Sequence, residues 1–166
     1  DMTLLRDDAI LAQPCLSEPP KFRCLEKLIG NTPMIAIDCS YKGDRRKVFA
    51  KLEYFNLSGS IKDRMALEVL RRAYATGQLQ PGDTIVEATS GNAGIALSAL
   101  GRALGHPVII YMPDWMSVER VELMRSYGAD VRLVSHAEGG FLGSIAKTQE
   151  LARQRNDVFL PRQFEN

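Results

Sequence analysis

Residues 84–105 read TIVEATSGNAGIALSALGRALG, and this stretch decides the fold. A short β-rich run, Thr84–Glu87, is followed by a loop of small residues and then by a helical run over 92–104. Gly105 comes directly after the helical run, at the position where a left-handed C-cap is needed. The stretch therefore predicts a strand, a strand-to-helix loop and a helix, which is the repeating unit of a parallel α/β sheet.

The same alternation continues on both sides of this unit. Further β-rich runs lie at Val48–Leu52, Val108–Met112, Asp130–Val134 and 157–160, and helical runs lie at 61–76, 117–127 and 140–155. Strands that alternate with helices are joined by crossover connections, so they pair in parallel. We therefore predict an α/β fold: an open parallel sheet with helices on both faces.

The helical run 61–76 has a polar face and an apolar face. Its predicted apolar stripe consists of Ile61, Met65, Val69, Leu70 and Ala73, and its opposite face of Arg64, Glu68, Arg71 and Arg72. Spacings of three and four residues are typical of a helix that buries one side. We expect the stripe to face the core.

Composition limits the function classes. The chain has 166 residues, 45% of them hydrophobic, and its 21 basic and 20 acidic side chains give a net charge of +1. That is one globular domain or slightly more, without the basic excess of a nucleic-acid-binding surface. Cys15, Cys24 and Cys39 form no CxxC pair, which favours a reducing compartment. No run approaches the roughly 18 apolar residues of a membrane span, and no targeting signal is recognisable, so we expect a cytoplasmic protein.

No metal site is predicted either. His106 and His136 have no companions at metal-ligand spacing, so both are expected to be structural or solvated. Trp115 is expected to cover a loop.

Lys62 follows a loop of small residues, 56–60, and lies in the first turn of the predicted helix 61–76. A cation at a helix N-terminus opposes the helix dipole, by about 0.3–1 kcal/mol. Taken alone, such a lysine is usually a solvated surface residue.

The loop 87–94 joins the strand of the opening stretch to its helix. Its successive small residues can leave backbone N–H groups exposed at a helix N-terminus, which suits a carboxylate or a phosphate. The alternative is purely structural: Ser90 or Asn92 caps the helix, and Gly91 and Gly94 allow close packing. Neither a GxGxxG nor a GxxxxGK[ST] motif occurs. A lysine facing an anion-binding loop is nevertheless what Schiff-base chemistry on amino acids requires.

Several motifs, in order along the chain, carry a family resemblance. They are Ile29–Pro33, Lys51–Glu53, Ser58–Arg64, Pro81–Gly94, Met112–Asp114, Met116–Ser117, Glu119–Arg120, Tyr127–Ala129 and Gln163–Asn166. From about residue 25 to its end the chain closely resembles the cysteine synthase and cystathionine β-synthase family, which are fold type II pyridoxal-phosphate enzymes.

The resemblance implies roles for individual residues. Lys62 would bind pyridoxal 5′-phosphate as a Schiff base and act as the proton-transfer base, and Asn92 would contact the cofactor's 3′ oxygen. The substrate carboxylate would be bound by Thr89, Ser90, Gly91, Asn92 and Ala93, and from the other side by Gln163. Ala93 departs from the family, which usually has threonine there.

The resemblance also implies a domain organisation. Residues 1–45 would be an arm and a segment packing on a larger domain, 46–155 a small α/β domain carrying the Schiff-base lysine, and 156–166 the first strand of the larger domain. Phe22, Leu25 and Leu28 would then lack packing partners. Family members continue beyond the final motif into the loop that binds the cofactor phosphate. The chain could be a piece of a longer enzyme, half of a split enzyme, or a remnant with a binding role.

The reaction implied is β-replacement on O-activated L-serine, with this chain supplying the lysine and the carboxylate-binding half. Two alternatives with the same chemistry are β-elimination, as in a cysteine desulfhydrase, and the synthesis of another β-substituted alanine. A non-catalytic binding or regulatory module is the alternative of a different class. The expected partners are a small amino acid and either a second copy of the chain or a chain that supplies the C-terminal half.

Overall fold

The computed structural model describes residues 19–163 of the chain. Its helices are α1 (Lys21–Glu26), α2 (Lys62–Ala75), α3 (Asn92–Leu104), α4 (Val118–Ser126) and α5 (Gly140–Gln154), with a 3₁₀ turn at Glu53–Phe55. Its strands are β1 (Met34–Tyr41), β2 (Asp44–Lys51), β3 (Thr84–Ala88), β4 (Val108–Pro113), β5 (Asp130–Val134) and β6 (Val158–Phe159).

The last four strands form one parallel sheet in the order β5-β4-β3-β6. Every residue of the central strands β3 and β4 is buried. Near-continuous burial is typical of parallel strands that are covered on both faces. Ile85 pairs with Val108, and Ile109 pairs with Asp130.

Alternate residues of these strands supply two apolar clusters. Ile85, Ile110 and Met112 pack with side chains of α1 to α4, whereas Val86 and Ile109 belong to the second cluster, into which Leu151 of α5 packs. Because successive side chains of a strand point to opposite faces, α3 and α4 cover one face of the sheet and α5 covers the other, while α1 and α2 pack on α3. The predicted α/β fold, a parallel sheet with helices on both faces, is confirmed.

The first predicted strand is placed differently. Val48–Leu52 was expected to open the parallel sheet, but residues 48–51 belong to β2, which pairs antiparallel with β1. Lys42 and Gly43 both have positive φ, +52° and +86°. Two such residues form the tight turn that a two-residue hairpin needs, so β2 folds back on β1 and does not feed a crossover.

The buried face of α2 is rotated from the predicted stripe. Its buried apolar residues are Ala66, Leu67, Leu70, Ala73 and Tyr74. Leu70 and Ala73 match the predicted stripe, and Val69 is half-buried and packs against the same cluster. Ile61 precedes the helix and is 57% exposed. The contact of α2 with α3 determines the buried face, and Ala66 and Leu67 belong to the cluster that this contact buries.

The expectation that Phe22 and Leu25 lack packing partners is wrong. Both are buried in the larger cluster, and Phe22 packs edge-on against Tyr74 with ring centroids 5.5 Å apart. Leu28 is exposed. This part of the predicted arm therefore packs on α2 and α3, while its earlier residues, with Cys15, lie outside the described part of the chain.

The strand expected to open a larger domain also differs from the prediction. Val158–Phe159 pairs with β3, with Thr84 opposite Val158 and Ile85 opposite Phe159. Phe159 is buried in the larger cluster. The two residues therefore form the edge strand of the parallel sheet and not a strand of another domain, because α5 packs on this sheet and returns the chain beside β3.

Three further observations concern the described residues only. No helix among residues 19–163 is long and apolar enough to cross a bilayer. In the same range no three His, Cys, Asp or Glu side chains come together as metal ligands. Cys24 and Cys39 are exposed thiols.

Candidate active site

A polar network joins three of the sequence motifs ahead of α2. Asn56 accepts a hydrogen bond at Oδ1 from the Gly30 amide (2.7 Å), and Thr32 Oγ1 donates to Glu53 Oε1 (2.8 Å). Arg64 donates through Nε to Glu53 Oε2 (2.8 Å) and through Nη2 to Glu53 Oε1 (3.1 Å). Bidentate pairs of this kind have a defined geometry. The network ties the segment before β1 and the 3₁₀ turn to the first turn of α2.

The electrostatics of the network centre on Glu53. The Arg64 hydrogen bond, followed by those from Thr32 and Asn56, lowers the pKa of Glu53 to about 2. The same bond raises the pKa of Arg64. Gly30 has φ +86°, and a Cβ there would lie 3.1 Å from Arg64 Nη1, so the network also needs a glycine at this position. Glu53 therefore remains an anion that holds Arg64 at neutral pH.

Lys62 is the first residue of α2, and its side chain is exposed. Its amide N–H donates to Ser60 Oγ at 3.2 Å. Within residues 19–163 no carboxylate forms an ion pair with its amine. The amine is thus accessible to a ligand that carries a carbonyl group.

The loop that follows β3 leads into α3. Thr89 is buried, and its amide donates to the Tyr111 carbonyl (3.1 Å), which anchors the loop to β4. Gly91 is the N-cap residue in an extended conformation, and no side chain in the described structure caps the helix. The predicted alternative that Ser90 or Asn92 caps α3 is therefore not observed. The Gly94 amide donates to the Gly91 carbonyl (3.0 Å), while the amides of Asn92 and Ala93 have no acceptor in the described part of the chain and are available to an anion.

The two glycines of this loop have different surroundings. A Cβ on Gly94 would lie 2.7 Å from Thr89 Cγ2 and 3.0 Å from Met124 Sδ, so this position needs glycine for close packing. A Cβ on Gly91 would have no heavy atom within 4 Å. The packing interpretation thus fits Gly94, while Gly91 lies beside open space.

The remaining predicted residues are placed as follows. Asn92 is exposed, and Ala93 is buried in the first turn of α3. The backbone N–H of Gln163 donates to Glu87 Oε2 (3.2 Å), which places Gln163 near the end of β3, where the loop begins. Lys62 lies on the neighbouring helix, since α2 packs against α3. The roles predicted for all these side chains stay predictions.

Sequence reasoning assigned no role to Arg120, which reaches the loop from α4. Its Nη1 donates to the Ser90 carbonyl at 3.2 Å. One helical turn later Met124 lies beside Gly94, so both contacts come from one face of α4. The Glu119–Arg120 motif was the available signal, but only the tertiary structure shows what the arginine contacts.

The histidines and Trp115 contact other parts of the chain. His106 is buried, and its Nδ1–H donates to the Asp83 carbonyl (2.8 Å), which leaves Nε2 to accept from the Tyr74 hydroxyl. Trp115 stacks on the exposed His136 with centroids 3.7 Å apart, and its ring covers Gly140. All of these contacts are structural.

Comparison with known proteins decides the family. The profile of the family described as "Pyridoxal-phosphate dependent enzyme" matches residues 25–166. The chain belongs to this family. The resemblance predicted from the motifs is confirmed, and the cofactor of this pyridoxal-phosphate family is the predicted one.

Relatives in the pyridoxal-phosphate family show which branch the chain resembles. A probable cysteine synthase of Bacillus subtilis is 42% identical over 139 residues, which cover 84% of this chain and 44% of the relative. A solved hydrogen sulfide-producing enzyme of Fusobacterium nucleatum is 58% identical with a TM-score of 0.85, over 88% of this chain and 44% of that one. A solved O-ureido-L-serine synthase is 42% identical with a TM-score of 0.77, over 86% and 44%. The chain thus spans less than half the length of these relatives.

Proposed function

We propose that this chain supplies the lysine-bearing and carboxylate-binding part of a pyridoxal-phosphate enzyme that acts on β-substituted amino acids. The observation that carries the proposal is the pairing of two features in one family member. Lys62 presents an accessible amine at the start of α2. The neighbouring helix α3 begins without a side-chain cap, and its N-cap residue Gly91 lies beside open space.

The residues present fit the family's cofactor at the lysine. An ion pair with a carboxylate favours the protonated amine, which cannot attack an aldehyde, and Lys62 has no such ion pair within the described chain. When bound, pyridoxal phosphate acts as an electron sink for negative charge at the substrate's α-carbon. Lys62 would hold the cofactor and move the α-proton, and Asn92 would contact the cofactor's 3′ oxygen.

The loop 89–93 would bind the substrate's α-carboxylate. The free amides at the start of α3 form a site that favours a negative charge, because the helix dipole adds to the hydrogen bonds that they can donate. The buried Thr89 anchors the loop and the Arg120 contact orients Ser90. Gln163 would approach the same carboxylate from the end of β3. A carboxylate held on both sides would keep the α-carbon over Lys62 and exclude water from it.

We infer β-replacement on O-activated L-serine, as in cysteine synthases, as the reaction of the whole protein. The 42% identity to the probable cysteine synthase supports this choice. A second candidate is hydrogen sulfide release from a thiol-bearing amino acid. It is favoured by the higher identity, 58%, to the hydrogen sulfide-producing enzyme. Both reactions share the α-proton transfer by Lys62 and differ in the leaving group and the nucleophile.

The proposed partners follow from an exposed surface. Both strands of the β1–β2 hairpin are exposed along almost their whole length, including Ile35, Ile37, Val48 and Phe49. An isolated two-stranded ribbon is at best marginally stable in water. We propose that further polypeptide covers this hairpin: either more of the same chain, a second copy in a homodimer, or a chain that supplies a C-terminal half.

The experiment is an assay of the full-length protein from its native gene with pyridoxal phosphate present. Cysteine formation from O-acetyl-L-serine and sulfide is compared with hydrogen sulfide release from L-cysteine alone. Lys62→Ala should lower the favoured reaction roughly a thousandfold, as expected for the loss of a proton-transfer base. Lys21→Ala, at the exposed first position of α1, serves as the matched control, because it removes a lysine from the same helix position.

The outcome separates the alternatives. A predominance of cysteine formation supports the replacement reaction, and a predominance of sulfide release supports the second candidate. If neither reaction occurs and borohydride traps no cofactor on Lys62, the protein is a non-catalytic binding module and the proposal fails.

A further inference from the structure

Asp63 is a buried carboxylate directly after Lys62. It has no exposed surface, and within residues 19–163 no cation forms an ion pair with it. Burial raises the pKa of Asp63, and two hydrogen bonds from Ser58 act in the opposite direction. A buried carboxylate is costly unless donors satisfy it, so the contacts of Asp63 show what it stabilises.

Both contacts of Asp63 go to one residue of the preceding loop. Asp63 Oδ2 accepts a hydrogen bond from the Ser58 amide at 2.6 Å, and Asp63 Oδ1 accepts one from the Ser58 hydroxyl. The turn between them passes through Gly59, whose φ of +90° favours glycine. At the inner end of this loop Ser60 Oγ accepts from the Lys62 amide. Hydrogen bonds from Ser58 to Asp63 and from Lys62 to Ser60 therefore fix both ends of this loop.

The burial of Asp63 determines the direction of Lys62. Neighbouring residues of an α-helix are about 100° apart around the axis, so the orientation of one sets the orientation of the next. With Asp63 facing inward onto Ser58, the Lys62 side chain lies on the exposed side of the first turn. Arg64 holds the end of this first turn through Glu53, and the Asp63 amide donates to the Ser60 carbonyl at 3.3 Å. Releasing the Asp63 side chain therefore loosens the start of the turn, where Lys62 lies, while the rest of α2 stays in place.

We propose that Asp63 is a positioning residue for Lys62, because its two hydrogen bonds to Ser58 fix the direction in which the lysine amine leaves α2. The inference rests on the proposed function, in which Lys62 binds the cofactor. Asp63 makes or breaks no bond in the reaction. It lowers the conformational freedom of the amine before the cofactor arrives.

The test measures how fast Lys62 captures pyridoxal phosphate in the full-length protein. Cofactor is added, samples are reduced with borohydride at timed intervals, and peptide mass spectrometry gives the fraction trapped on Lys62. Asp63→Ala should slow trapping about tenfold and Ser58→Ala about threefold, in line with the loss of hydrogen bonds to a charged group. Asp63→Asn keeps an acceptor for the Ser58 amide and should restore most of the rate.

Asp83→Ala is the matched control. Asp83 Oδ2 accepts from the Gln80 amide at 2.7 Å, so it closes a similar loop away from Lys62. This variant should trap cofactor at the wild-type rate. Amide hydrogen exchange over residues 58–63 gives a second readout, which should accelerate in Asp63→Ala and stay unchanged in Asp83→Ala.

Each outcome has one meaning. Wild-type trapping rates in folded Asp63→Ala and Ser58→Ala would overturn the inference and leave the proposed function intact. No trapping on Lys62 in the wild-type protein would overturn the proposed function instead. If Asp63→Ala does not fold, Ser58→Ala decides: slower trapping at an unchanged unfolding midpoint supports the inference, and equal trapping overturns it.

Discussion

The parallel sheet and the β1–β2 hairpin both contain isoleucine and valine in their strands, but these side chains end in opposite environments. β3 and β4 are buried throughout, whereas β1 and β2 are exposed at nearly every position. Ile110 in β4 has no exposed surface, while Ile37 in β1 is 45% exposed. The difference shows that β-rich composition makes a strand, but that covering elements decide whether the strand contributes to the core.

The largest difference in stability is expected when an isoleucine is replaced by alanine in the parallel sheet or, in a separate variant, in the hairpin. Ile110→Ala should lower the free energy of unfolding by about 3–4 kcal/mol, because it leaves a cavity in a closely packed core. Ile37→Ala should cost less than about 1 kcal/mol in this chain, since its side chain is half exposed. Urea titration followed by circular dichroism measures both. Equal losses would show that the hairpin packs on something within the chain and would break the comparison.

The next effect concerns how closely α3 lies on the sheet. A Cβ on Gly101 would come 2.7 Å from Val108 Cγ2 and 2.9 Å from Ile85 Cδ1. Gly101→Val should therefore destabilise the chain by about 2–3 kcal/mol through overpacking. Ala103→Val, on the exposed side of the same helix, should cost under about 1 kcal/mol. Similar unfolding midpoints for the two variants would contradict this account of the sheet.

A tyrosine pair gives a smaller contrast. Tyr74→Phe removes the hydroxyl that donates to the buried His106, and the unpaired ring nitrogen should cost about 1–2 kcal/mol. Tyr41→Phe, at the exposed end of the hairpin, should change the stability by less than about 0.5 kcal/mol. Thermal unfolding of the two variants provides the measurement. A stable Tyr74→Phe protein would mean that another donor replaces the hydroxyl.

The smallest expected effect is at Glu53, which connects the base of the hairpin to α2. The folded-state pKa of Glu53 is about 2, below its ordinary value of 4.5. A lowered pKa stabilises the fold above pH 4.5, and this contribution is lost as the pH falls toward 2. Glu53→Gln should flatten the dependence of stability on pH in that window. Arg64→Gln should have a similar effect, and an unchanged profile in both variants would contradict the role of the ion pair.

Much of the sheet could be predicted because its signals are local. The run 84–105 contains its own strand, loop and helix, and Gly105 ends the helix in a left-handed conformation, as the sequence indicates. The buried face of α2 was predicted less well, for a different reason. The periodicity identified a helix, but its contact with α3 selected Ala66 and Leu67 over Ile61 for the buried face.

The candidate site likewise contains residues that the sequence could indicate and residues that it could not. The residues predicted to carry the chemistry, Lys62 and the loop 89–93, were assigned through the family resemblance of their motifs, and their roles stay predictions. The residues that hold them were not, since Asp63 acts through Ser58 and Arg120 through Ser90. Supporting contacts of this kind join residues that the sequence pattern does not relate, and only the folded chain shows them.

The sequence by itself determined the fold class, the family and the residues expected to meet the cofactor and the substrate. Hydrophobic periodicity, turn glycines and motif spacing are short-range properties, so they can be read along the chain. Tertiary structure decided that β6 lies beside β3, that α1 belongs to the core, and that residues 48–51 join a hairpin. These features depend on which apolar surfaces meet after the chain collapses, and that choice is made by contacts distant in sequence.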